Sequence, residues 1–181
     1  MFLTNHTIAH SVKIANIMSI LALKYDLDPK HMYILGLLHD IGKLNTENTE
    51  IKLSASKGHA FKGGEILKEM NFPYWKEVYN HGHPELNYHS KAMNLLNAID
   101  LSVNSEGMVI GQVSRLRNIE KRYGKNSEQF LNARLIVDYI KENEPSLYFP
   151  SAIRLLRSVS EFVEVDEKTI GKICRIVNGE K

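Results

Sequence analysis

Residues Leu37–Leu44 read LLHDIGKL. The run is apolar up to a histidine–aspartate pair and closes on Gly42 and Lys43. Upstream, Asp28-Pro29 is a helix start: a carboxylate able to cap free N–H groups, then a proline whose fixed φ suits the first helical position. From there the apolar spacing is helical. His39 lies one turn after Leu35 and two after Met32, on the face turned to the core. A histidine and an aspartate at the inner end of such a helix are costly unless they are paired or bind a metal. The pair alone proves little. Eight histidines and six aspartates in 181 residues give about 0.3 such pairs by chance, so the surroundings must decide.

The surroundings repeat the pattern. All eight histidines lie between His6 and His89. His10 shares a helical face with Ile14, Ile17 and Leu21. His59 is spaced with Gly63, Ile66 and Met70, and His81 follows Val78 by three. Asp100 follows Leu96 by four and precedes Val103 by three, inside the apolar run LLNAIDLSV. A lone histidine on an apolar face is more often a hydrogen-bonded core residue. Five helices that each present one polar group inward are a different case, because one shared cation satisfies them together. His39 and Asp40 would diverge by ~100° in mid-helix. In the last turn before Gly42 both can face one ion.

The chain reads as helical nearly throughout, so the fold class is all-α. A first helix, capped by Asn5 or Thr7, runs to about Leu23, and the second runs from Asp28-Pro29 to Gly42. A third covers 57–70, a fourth Tyr74 to His81, and a fifth about Tyr88 to Val103. Later helices are expected at 112–123, 127–143, 151–163 and 167–177. Asn126 with Gln129 can form a capping box for the helix at 127–143, and Asn178-Gly179 a stop for the last. Residues 44–56 read as a loop. The break at 144–150 is expected to set the last two helices apart as an appendage. The expected organisation is one domain over 1–181, a helical bundle with its metal-binding core at about 5–105 and a C-terminal helical extension at about 106–181.

Composition limits the partners. Net charge is +2, with acids and bases mixed along the chain, which argues against nucleic acid and is compatible with a small phosphorylated molecule. No apolar run approaches the ~20 residues that span a bilayer, so no membrane is expected. The single cysteine, Cys174, excludes a disulfide within one chain and reads as a small core residue. The segment MFLTNHT lacks the features of a signal peptide, and the expected location is the cytoplasm.

The order His10 in HSVKIA, His39-Asp40 in LLHDIGK, His59 in HAFKGG, His81 in VYNHGHP and Asp100 in NAIDLS resembles the HD superfamily of metal-dependent phosphohydrolases. The likeness covers roughly residues 6–105, and DLSVNSEGMVIGQVSRLRNIEKRYG is similar to the segment after the last aspartate in small bacterial HD proteins. The resemblance implies that His10, His39, Asp40 and Asp100 hold a first metal. It implies that Asp40 bridges to a second held by His59 and His81. Lys43 matches a position close to the substrate phosphate, against the plainer reading of a solvated lysine. His83 is expected to hydrogen-bond a phosphate or water. His6, His31 and His89 read as surface or structural, and Lys62, Arg115 and Arg117 as solvated helix charges within reach of an anion.

A nitrogen–oxygen ligand set without thiolate suits a divalent transition metal, one ion or two. Iron and manganese are favoured, and cobalt, nickel, zinc and magnesium fit as well. Such an ion lowers the pKa of water and neutralises phosphoryl charge. The expected activity is therefore hydrolysis of a phosphate ester or anhydride, with a nucleotide as substrate. His59 and His81 are similar to the pattern of the bacterial diadenosine tetraphosphate hydrolases. That group carries threonine where this chain has Gly82, and an arginine where it reads LSVNSEG, so a nucleoside 5′-monophosphatase is the rival. HGHPELNYHS lacks the Gly-Tyr-Pro element of the cyclic-dinucleotide branch. A regulatory nucleotide- or metal-binding module without turnover is the alternative from another class. A metal-free scaffold would leave Asp40 and Asp100 unexplained. A homodimer is compatible with the sequence.

Overall fold

His10, Ile14, Ile17, Met18 and Leu21 form one stripe of the first helix, α1 (Asn5–Leu21), and every one is buried. The computed structural model describes residues 5–44, 58–84 and 88–162. After α1, the chain turns through Asp26, which has φ 55°, into α2 (Pro29–Leu38). As Asp28-Pro29 foretells, the Asp28 carboxylate accepts from His31 N at 2.8 Å and Pro29 opens the helix. α3 (Gly58–Glu69), α4 (Trp75–Asn80), α5 (Lys91–Asp100), α6 (Gln112–Tyr123), α7 (Glu128–Asn143) and α8 (Ala152–Ser160) follow. The fold is all-α. Among the described residues the nearest thing to sheet is an isolated bridge between Val103 and Val109.

The core is built on α5, in which every residue from Ala92 to Ile99 is buried. α1 and α7 both pack on it, and α2 packs on α1. Two glycines set the approaches. A Cβ on Gly36 would stand 2.7 Å from Ala15 Cα, so α1 and α2 touch backbone to backbone there. A Cβ on Gly42 would collide with the His59 carbonyl oxygen. Only glycine lets the turn after α2 seat against α3.

Several boundaries differ from expectation, each for a local reason. α2 stops at Leu38 rather than Gly42: Asp40 has φ −97° and ψ 12°, and Ile41–Lys43 is a 3₁₀ turn. α5 starts at Lys91 because Ser90 caps it, accepting from Met93 N at 3.0 Å and donating to Glu77 Oε1 at 2.9 Å. Tyr88, expected inside that helix, instead donates its hydroxyl to the same buried Glu77. Ser127, not Asn126, caps α7 by accepting from Phe130 N.

α8 also differs. Leu155 is fully buried in the common core and α8 packs on α1, so this helix is part of the body rather than an appendage. Lys24 Nζ donates to Ser158 Oγ and Glu161 Oε2 across the same seam. The helix expected at 167–177, with Cys174 and Asn178-Gly179, lies outside the described residues, as does all of the 44–56 segment after Leu44.

Candidate metal centre

The six polar residues singled out from the core faces arrive from five helices. His10 comes from the middle of α1, and His39 and Asp40 from the unwound end of α2. His59 lies in the first turn of α3, His81 directly follows α4, and Asp100 is the last residue of α5. Adjacent residues in an α-helix point apart. Ending α2 at Leu38 removes that constraint, so His39 and Asp40 face the same space.

The imidazoles form a row. Ring centroids are 5.5 Å apart from His10 to His39, 5.5 Å from His39 to His81, and 5.4 Å from His81 to His59. The carboxylates lie along it. Asp100 Oδ1 is 2.9 Å from His10 Nε2 and 3.9 Å from His39 Nε2. Asp40 Oδ2 is 3.5 Å from His39 Nε2 and also meets Lys43 Nζ, while its Oδ1 is 3.1 Å from His59 Nε2. Two sets of potential ligand atoms result, His10–His39–Asp100 and Asp40–His59–His81, each within 4.8 Å of one another. Asp40 groups most closely with His59 and His81, and its second oxygen turns toward the other set.

Second partners fix three of the rings. His10 Nδ1 lies 2.8 Å from Asn104 O, His39 Nδ1 2.7 Å from Gly36 O, and His81 Nδ1 2.6 Å from Val78 O. A carbonyl can only accept, so each Nδ1 carries a proton and donates it. Neutral His39 and His81 therefore present a lone pair at Nε2. Both Nε2 atoms are buried and have no hydrogen-bond partner among the described residues.

Charge follows from the same contacts. Burial holds the His39 pKa below that of an ordinary histidine, and it pushes His81 down to about 3 with help from His59 and His39. Burial opposes ionisation of Asp40, yet the contacts with His59 and Lys43 outweigh it and hold the carboxyl well below the usual range. Asp100 is likewise held ionised against burial by His10 and Arg115. In His10 burial is outweighed by the Asp100 contact, and its pKa is raised. Two ionised carboxylates thus face two neutral imidazoles with unused lone pairs. That donor set fits a divalent cation.

The remaining expected residues fall around this centre. Lys43 is half-exposed, meets Asp40 and lines a cleft of about 310 Å³ that His10 and Arg115 share. A second cleft, of about 360 Å³, opens on the other side at His59, His81 and Asp100, and Arg115 lines it too. His83 lines this second cleft with its ring against Phe61. Lys62 Nζ donates to Leu44 O, and Arg117 is exposed. His31 is exposed near Tyr74, and exposed His89 stacks on Tyr139. His6, expected at the surface, is exposed but lines the first cleft. The placement of His59 differs from expectation: its side chain is 42% exposed and Met70 on the same stripe is 66% exposed, so it sits at the rim of the buried face.

Three participants carried no clear signal. Asn104 acts through its carbonyl, which sequence spacing does not reveal. Its side chain shapes the loop by accepting from Glu106 N and Met108 N. Arg115 reads as an ordinary helix charge, but its Nε is buried without a partner among the described residues and its charge acts on Asp100. Glu77 is a buried carboxylate held by Tyr88 and Ser90.

A family model described as HD domain matches residues 7–138, which include all six residues of the cluster. The chain belongs to the HD domain family. HD domains bind divalent metals and are in general hydrolases, in keeping with the ligand sets here. The matched span of this HD domain ends within α7. Comparison with curated proteins and with solved structures gives no match. No helix among the described residues of this HD protein is long and apolar enough to cross a membrane.

Proposed function

We propose that this HD protein is a metal-dependent phosphohydrolase that cleaves a phosphate ester or anhydride, with a nucleotide as substrate. The observation that carries the reading is the pair of buried Nε2 atoms on His39 and His81. Their Nδ1 protons are committed to backbone carbonyls, and ionised Asp40 and Asp100 stand beside them. A core that left those lone pairs facing nothing would be destabilised by each of them.

In this reading His10, His39, Asp40 and Asp100 hold one ion, and His59 and His81, with Asp40 between the sets, hold a second. A divalent cation supplies, when bound, a lowered water pKa and neutralisation of phosphoryl charge. The chain supplies the rest. Asn104, Gly36 and Val78 orient the ligand rings. Lys43 and Arg115 place positive charge beside both carboxylates on the walls of the clefts, where phosphoryl oxygens would sit. His39 and Asp40 are themselves almost fully buried.

The test is metal analysis of the purified protein with phosphate release from a nucleotide panel, with and without manganese or ferrous iron. Metal-dependent release from at least one substrate is expected. Bound metal without release from any of them would favour a regulatory module, and absence of metal under replete anaerobic conditions would end the reading.

A further inference from the structure

The cleft at His59 and His81 does not stop at the metal centre. It continues into a groove of about 300 Å³ between α5 and α7, because His83, Asn97, Asn132 and Ile136 line both. The groove differs in character from the clefts beside the ligands. Lys43, Arg115 and Arg122 line the cleft on the His10 side, whereas no Lys, Arg, Asp or Glu among the described residues lines the groove. Its walls offer carboxamides instead. Asn94 and Asn97 project from successive turns of α5 and are 5% and 7% exposed. Across from them, Asn132, Ile136 and Tyr139 recur along one face of α7.

The buried amides are fixed. Asn97 Oδ1 accepts from Gly82 N at 3.2 Å, which leaves its NH₂ for another acceptor. Asn94 Nδ2 donates to Glu144 Oε1 at 3.2 Å, which leaves its carbonyl oxygen for another donor. Tyr139 and His89, both in the lining, stack ring on ring at 4.2 Å and 12°, an aromatic pair within the groove.

We infer that this groove between α5 and α7 is a nucleobase-binding subsite. The inference rests on the phosphohydrolase reading for the position of the phosphate, and it names what occupies the other end of the substrate. A ligand whose anionic end lies at the carboxylate–imidazole row and whose other end is uncharged, planar and edged with donors and acceptors matches both halves. Carboxamides pair with the donor–acceptor edges of bases, and aromatic faces stack on their rings. A sugar phosphate without a base would leave the amides of Asn94 and Asn97 unmatched. A site of such groups rejects a ligand that cannot pair with them.

The test uses the full chain and separates the two readings. Adenosine, guanosine, cytidine and uridine carry a base and no phosphate, and ribose 5-phosphate carries the reverse. With metal removed by chelator, NMR is expected to show at least one nucleoside shifting the side-chain amide signals of Asn94, Asn97 and Asn132 at millimolar concentration. Ribose 5-phosphate is expected to leave them in place. Asn132→Asp and Tyr139→Ala, each checked for fold by circular dichroism, should weaken the best nucleoside about tenfold, the loss expected from one paired edge or one stacking face. On metal-loaded protein, KM for the matching nucleoside phosphate should lie at least about tenfold below that for ribose 5-phosphate. If no nucleoside moves these signals, or if both variants bind it as the parent does, the subsite is overturned whatever the protein hydrolyses. If nucleosides bind the groove and no phosphate is ever released, the subsite stands and the phosphohydrolase reading falls.

Discussion

At the scale of single residues, the centre depends on atoms that never touch a ligand. Fixing an Nδ1 proton on a carbonyl selects the tautomer and orients the ring, and such supports commonly contribute ten- to a hundredfold to metal affinity. Asn104 is the one support that mutation can reach, since its side chain holds the loop whose carbonyl meets His10. Asn104→Ala should lower metal affinity by about tenfold or more with the fold intact, measured by competition against a calibrated chelator. Asp40→Asn is a harsher change. It removes the charge that faces His39, His59 and Lys43 together. Metal content by elemental analysis should fall below half of the parent value, and unchanged content would exclude Asp40 as a ligand. On the phosphohydrolase reading, Lys43→Ala should keep fold and metal and lose on the order of ten- to a hundredfold in kcat/KM, or ~1.4–2.7 kcal/mol, because its charge would act where charge develops. Unchanged kinetics on the best substrate would leave Lys43 with the Asp40 contact alone. Helical spacing picked out His10, His39, His81 and Asp100 in the sequence, because a polar residue on an apolar stripe stands out at any distance from its partner. Arg115 did not stand out. A basic residue on an amphipathic helix looks solvated until the fold sets it beside Asp100.

At the scale of elements, the joints between helices place the residues proposed as ligands. Gly42 lets the 3₁₀ turn of Ile41–Lys43 lie on the backbone of α3, which carries His59 to within 3.1 Å of Asp40. Gly42→Ala would drive a methyl group into the His59 carbonyl, and overpacking of this kind costs ~1–3 kcal/mol. The expected result is a lower midpoint in urea together with loss of metal from the Asp40–His59–His81 set. A second joint hangs on Glu77, which receives hydrogen bonds from Tyr88 and Ser90. The start of α2 was legible because aspartate followed by proline has few other uses. The starts of α5 and α7 were not. Tyr88 to Ser90 could continue a helix by local preference, but Tyr88 and Ser90 both donate to buried Glu77 and Ser90 caps α5. Asn126 and Ser127 are comparable caps by local preference, so the sequence does not choose between them.

At the scale of the whole molecule, α8 decides where the domain ends. The break at 144–150 suggested a separate appendage, but a break in helical pattern says nothing about what the next helix packs on. Leu155 supplies the answer: it is fully buried with Ile14, Leu95 and Ile140 in one continuous core. Lys24 and Glu161 form an exposed pair across the same seam, and such pairs contribute only ~0–1 kcal/mol, so the apolar contact must carry the attachment. Leu155→Ala should therefore destabilise the protein by ~2–5 kcal/mol, while Glu161→Ala changes stability by less than about 1 kcal/mol. Metal offers an independent check. A ligand that binds only the folded state at a hundred times its Kd adds ~2.7 kcal/mol. If the centre and α8 share one cooperative unit, adding metal should raise the Tm of Leu155→Ala in calorimetry as it raises that of the parent, with a single transition in both. Two transitions, one sensitive to chelator and one to Leu155→Ala, would show that α8 folds apart from the centre, and the appendage reading would return.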